Sequence, residues 1–221
     1  MNSYVEALLA LFLITQLMLA ASSRLLHCIR IVAGQGIILG ILPLLVYGQN
    51  HHIEGFIIAF VNIAVKGIAL PYLFAMAMRK ADVKRELEPL IGYFSSVVIV
   101  LIFVGLSFWL SGKLPLPDGS VNNVMPIAIS GMLTGLFIVM ARRKAITQAI
   151  GFLSFENGIS LFGVGMAVEC GLLVELGILL DVFALIFIMG IAVLKINRQF
   201  EHIDSDKLNL LADTNDSKNG N

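Results

Sequence analysis

Charged side chains are scarce in this 221-residue chain: Asp, Glu, Lys and Arg make up 14% of it, against 58% hydrophobic residues. So little charge cannot coat a globule in water, and so much apolar surface cannot be buried in one, which excludes a soluble domain. Segments of about 10 residues with alternating polarity are also lacking, which excludes a transmembrane β-barrel. No phosphate loop, nucleophile elbow or dinucleotide fingerprint occurs, so independent enzymatic chemistry and a bound cofactor are not expected. Basic residues balance acidic ones at a formal net charge of zero. Their placement fits membrane topology better than nucleic-acid binding.

What remains is a series of long apolar runs. A bilayer core about 30 Å thick takes about 20 residues per helical crossing. The chain supplies seven such blocks, near Val5–Ser22, Ile31–Gly48, Ile53–Met78, Pro89–Leu110, Asn123–Met140, Thr147–Val168 and Leu172–Leu194. The expected fold is therefore all-α, a polytopic bundle of seven transmembrane helices filling residues 1–200, followed by a polar cytoplasmic tail over 201–221.

Of the fifteen Lys and Arg residues, all but Lys66 and Lys113 fall after the first, third, fifth or seventh block. The positive-inside rule then puts the N-terminus outside and the C-terminus in the cytoplasm, as expected of a multi-pass protein of the cell inner membrane. Met1–Glu6 has no basic residue ahead of the first apolar run, so that run reads as a retained helix and not as a signal peptide. On this topology Cys28 lies in a cytoplasmic loop and Cys170 in an outer one, too far apart for a disulfide. His51 and His52 form a polar outer loop without the further ligands a metal site requires.

Three ionisable residues interrupt the apolar runs. Lys66 lies twelve residues beyond Glu54 and thirteen before Arg79; Glu156 lies twelve beyond Lys144 and thirteen before Glu169. At a rise of ~1.5 Å per residue both belong near the bilayer midplane. Asp181, six residues beyond Glu175, belongs in the outer half. A charge at such depth costs about 2.5–3.5 kcal/mol on insertion scales, so it persists where it has a partner or a task.

A Lys66–Glu156 strut pinning two helices is the structural reading. The functional reading is a proton path through Lys66, Glu156 and Asp181, because burial opposes ionisation while an opposite charge favours it. Asn62, Asn157 and Glu175 are candidate supporting groups. Gln16 and Gln35 are expected to hydrogen-bond to neighbouring helices. Pro71 is expected to loosen the helix beside Lys66, and the runs Gly34, Gly36, Gly40 and Gly158, Gly163, Gly165 to mark close helix contacts.

The run Arg142-Arg143-Lys144, then Ile150-Gly151-Phe152, Glu156-Asn157-Gly158, an acidic seventh span around Asp181 and a terminal Ile203-Asp204-Ser205 resembles the K-type membrane subunit of respiratory complex I, the last three helices, about 123–200, being the K-type-like part. With Lys66, Pro71 and four preceding helices, the whole chain is similar to membrane component E of hydrogenase-4. That resemblance implies a cofactor-free subunit, bound to no metal, beside antiporter-like membrane subunits in a membrane-bound nickel-iron hydrogenase or related complex. It further implies a buried carboxylate in each of the last two helices. The first family position falls on Leu153, one turn from Glu156, and the nearest acidic counterpart of the second is Asp181. Two other assignments are open: a small subunit of a multisubunit cation/proton antiporter, and a structural scaffold without a transport role.

Overall fold

The structure, a computed structural model, describes residues 3–46, 59–60, 63–80, 90–114 and 123–166. Among them every regular element is helical: α1 (Ser3–Ala21), α2 (Leu25–Val46), a π-helical segment (Ile63–Ala69) running directly into α3 (Leu70–Lys80), α4 (Tyr93–Ser111), α5 (Val124–Ala141) and α6 (Ala145–Met166). A helix satisfies its own backbone donors and acceptors, which is what an apolar run requires where no water is at hand. Ser3–Ala21, Leu25–Leu45, Tyr93–Ser111 and Val124–Ala141 are each long and apolar enough to cross a membrane. The chain is a helical, multi-pass membrane protein. The seventh expected span, with Glu175 and Asp181, and the tail lie outside the described residues, as do Asn62, His51, His52 and Cys170.

The main difference from the sequence reading lies at the start of α2. It begins at Leu25 and not at Ile31, so Cys28 and Arg30 belong to its first two turns and not to a loop. Arg30 is exposed, and its long stem lets a charged head leave the helix surface. Cys28 is buried, with its thiol 3.9 Å from the Ser22 carbonyl.

The turns at this end of the bundle are short and held by side chains. Only Ser22–Arg24 separate α1 from α2, and the Cys28 amide donates back to the Arg24 carbonyl at 3.1 Å. Between α5 and α6 the chain turns through Arg142–Lys144, and the Gln148 side-chain amide donates to the Arg142 carbonyl at 3.0 Å. Arg142 is buried. Its Nη2 donates to the Ala20 carbonyl at 3.0 Å, and its guanidinium lies 4.5 Å from the Tyr93 ring centroid. One side chain thus ties the ends of α1 and α5 to the start of α4, satisfying an orphan helix-end carbonyl with a charged donor.

Packing divides into two apolar clusters. One, at the Arg142 end, gathers Leu19, Leu25, Val32, Phe74, Val100, Phe137, Ile138, Ile150 and Leu153. The other, towards the opposite end, gathers Val5, Leu9, Phe12, Ile38, Leu42, Val124, Ala128 and Leu161. Helices α5 and α6 approach closely because small residues line their seam: a Cβ on Gly135 would run into the backbone of Phe155, and one on Gly158 would lie 2.6 Å from the Met132 nitrogen. In sequence, buried polar residues fall between the members of the two clusters: Gln16 on α1, Gln35 on α2, Ser130 on α5 and Glu156 on α6.

Candidate functional site

Lys66 sits at the middle of the π-helical segment. Pro71 lies five residues on, in the first turn of α3. Proline has no amide hydrogen to give, and in α geometry its ring would meet the carbonyl of Gly67, four residues back. The wider turn just before it relieves that collision, and π-turns of this kind recur at functional positions. The segment is pressed against α2 where α2 has no side chain: a Cβ on Gly36 would fall 2.7 Å from the Lys66 carbonyl carbon and 2.8 Å from its Cβ. Gly36 therefore fixes how closely the Lys66 backbone can approach.

From there the Lys66 side chain reaches α6. Its Nζ lies 3.1 Å from Glu156 Oε1 and donates to Ser160 Oγ at 2.7 Å. Ser160 follows Glu156 by four residues, so both present to the same helix face. Lys66 is 4% exposed and Glu156 1%. At that burial the pair is out of reach of bulk screening, and opening it would strand a charge in an apolar interior.

Asn157, next to Glu156, is buried as well, and its amide donates to Gln35 Oε1 at 3.3 Å. The Gln35 amide in turn donates to Thr15 Oγ1 at 3.1 Å, and Thr15 donates to the Phe12 carbonyl at 2.6 Å. One residue along α1, Gln16 accepts from Ser130 Oγ at 3.0 Å and donates to the Ile127 carbonyl at 3.2 Å. Polar groups from α1, α2, the π segment, α5 and α6 thus occupy one layer, bounded on either side by the two apolar clusters.

Of the candidate residues read from the sequence, the structure brings together Lys66, Glu156 and Asn157. Gln16 and Gln35 bridge helices, as expected of buried amides, and Gln35 also joins the layer to Asn157. Leu153, where the resemblance places a carboxylate, is buried among apolar neighbours. The acidic group of α6 is instead three residues on, facing Lys66. The sequence reading missed Thr15, Ser130 and Ser160. The only advance signal for Ser160 was its spacing from Glu156.

Chemically, the layer holds a cation and an anion in contact, with a hydroxyl that both donates and accepts beside the cation. A proton can pass between such groups without an intervening metal or cofactor. The described site residues contain neither a thiol nor an imidazole.

Comparison with known proteins adds one relative. Over 187 residues, 84% of this chain and 85% of the relative, the sequence is 31% identical to the uncharacterized protein Rv0085 of Mycobacterium tuberculosis. No family model matches the chain. No solved structure matches it.

Proposed function

The chain belongs to the same family as that mycobacterial protein, and we propose that it is a membrane subunit of a hydrogenase-4-like, complex I-related respiratory complex, using the Lys66–Glu156 pair in proton translocation and linking antiporter-like subunits. The observation that carries this reading is the pair itself: two opposite charges 3.1 Å apart, almost wholly buried, beside helices of bilayer-crossing length. An ion pair so placed is costly to build, and burial of charge inside a membrane protein is by default a mark of ion or proton handling.

The proposed topology has seven spans, with the N-terminus outside and the C-terminus in the cytoplasm of an inner-membrane protein. It draws support from the clustering of Arg24, Arg142, Arg143 and Lys144 at the two short turns, which the Arg142–Ala20 hydrogen bond holds at one end of the bundle. Asp181 and Glu175 extend the proposed path into the seventh span. Electron transfer belongs to partner subunits, because the chain carries no motif for a redox group.

Isolation of the native complex through an affinity tag on this chain tests the assignment. The expected companions are a nickel-iron large subunit, iron-sulfur proteins and antiporter-like membrane subunits. A complex made of antiporter subunits alone would replace this reading with cation/proton exchange, and isolation of the chain without any partner would contradict both.

A further inference from the structure

Among the described residues, charge at the Arg142 end of the bundle is of one sign. The only described carboxylates are Glu6, in the first turn of α1 at the opposite end, and Glu156, inside the polar layer. Arg24 and Arg30, at the start of α2, are exposed, as is His27 between them, and no described carboxylate offsets the two guanidinium charges. Their planar forks match a phosphate or a carboxylate. The N-terminal end of the α2 dipole adds partial positive charge at the same place.

Further along the helix the same face turns apolar and stays uncovered. His27, Arg30, Gly34, Ile37 and Ile41 follow one another at alternating spacings of three and four residues, so they form one stripe. Ile37 is 43% exposed and Ile41 37%. Between them and the basic groups Gly34 makes a notch, where an added Cβ would meet nothing within 4 Å. One leaflet holds about 15 Å of hydrocarbon, which about ten residues of helix traverse. Counted from Arg30, that length takes in Gly34 and Ile37 and ends near Ile41. The stripe is basic where a leaflet begins, and apolar with a recess over the depth of its acyl chains.

We propose that this stripe is a site for one anionic phospholipid, its phosphate held by Arg24, His27 and Arg30 and an acyl chain laid in the notch at Gly34. The guanidinium groups supply paired donors to the phosphate oxygens, and the His27 ring N–H supplies another. Basic groups at a helix end beside the bilayer are matched to acidic headgroups in this way. A carboxylate on another protein would answer the two arginines and leave the recess empty. A zwitterionic lipid would fill the recess and leave the net positive charge. The inference uses neither Lys66 nor Glu156, so it stands apart from the proton-transfer reading.

Native mass spectrometry of the full chain in detergent, titrated with phosphatidylglycerol or phosphatidylcholine, tests this and reads the oligomeric state as well. The wild type is expected to bind its first phosphatidylglycerol more tightly than its first phosphatidylcholine. Arg30→Gln is expected to weaken the first phosphatidylglycerol about fivefold, the scale of one basic residue at an acidic headgroup. Arg143→Gln, which removes the same charge from the same end but on the turn between α5 and α6, is expected to leave it unchanged. Gly34→Leu keeps every charge and fills the notch, and is expected to weaken phosphatidylglycerol about tenfold, the worth of roughly two displaced methylenes. Equal affinity for the two lipids, equal losses in Arg143→Gln and Arg30→Gln, or wild-type binding in Gly34→Leu overturns the site, the second outcome meaning diffuse attraction only. A dimer that Gly34→Leu dissociates would assign the stripe to a second copy of the chain and overturn it too.

Discussion

Lys66 and Glu156 face each other at 3.1 Å with almost no exposed surface, so the energetics of each depends on the other. Lys66→Met, which leaves a carboxylate without its nearby cation, is expected to lower stability by about 3–5 kcal/mol, and the double change Lys66→Met with Glu156→Leu to recover much of that loss. Unfolding of the purified variants by denaturing detergent would measure both, and additive losses would show that the two residues are not coupled. A second test concerns the surface Lys66 rests on. Gly36→Ala is expected to cost about 1–3 kcal/mol by overpacking against the Lys66 backbone. Gly34→Ala, where nothing lies within 4 Å of the added atom, is expected to be neutral or stabilising by up to about 1 kcal/mol.

The two charges were legible in the sequence because ionisable residues are rare in apolar runs. The hydroxyls of Thr15, Ser130 and Ser160 were not, because a serine or threonine in a helix commonly bonds to its own preceding turn, as Ser96 and Ser107 do in α4. Whether such a group reaches across depends on how the helices cross. Arg142 shows the same limit from the other side: its place among basic neighbours marked it as a topology residue, yet it is buried and joins three helices.

At the scale of elements, the long apolar runs announced the helices, while their ends depended on particular contacts. Helix α2 reaches back to Leu25 because Arg30 can extend outward and Cys28 can pack inward, neither of which hydrophobicity alone discloses. The disturbance at Lys66 was legible in Pro71, but its form, a π turn, was not. Pro71→Ala removes the collision that favours the wide turn. Tightening to α geometry advances each residue by about 100° around the axis and turns Lys66 away from α6. The expected outcome is greater hydrogen-exchange protection over Ile63–Ala69 and a fall in the Lys66–Glu156 coupling energy measured by double-mutant cycle. Unchanged coupling would mean that contact with Gly36, and not proline, holds the turn open.

The whole molecule is asymmetric in its surface. Helix α5 is largely enclosed, whereas α4 presents Phe94, Leu101, Ile102, Leu106 and Trp109 outward. Trp109 is the only tryptophan in the chain and lies near the end of α4, where Lys113 stacks over it at 3.8 Å from the ring centroid, an arrangement suited to the membrane interface. Native fluorescence is therefore expected to be quenched by lipids brominated close to the headgroup and less by those brominated at the acyl-chain ends. The reverse order would place the end of α4 deep in the bilayer.

The class of the fold was legible in composition, because apolar runs of this length have few other uses. The joining of polar residues from five segments into one layer was not, since it depends on tertiary packing between residues up to 122 positions apart. The most direct measurement of the central claim is dye-reported proton movement by the reconstituted native complex, supplied with reductant, with and without Glu156→Gln. A glutamine keeps the volume and an oxygen acceptor for Lys66, so the account predicts an assembled complex that still transfers electrons while proton movement is lost. Undiminished proton movement per electron in that assembled variant would contradict it.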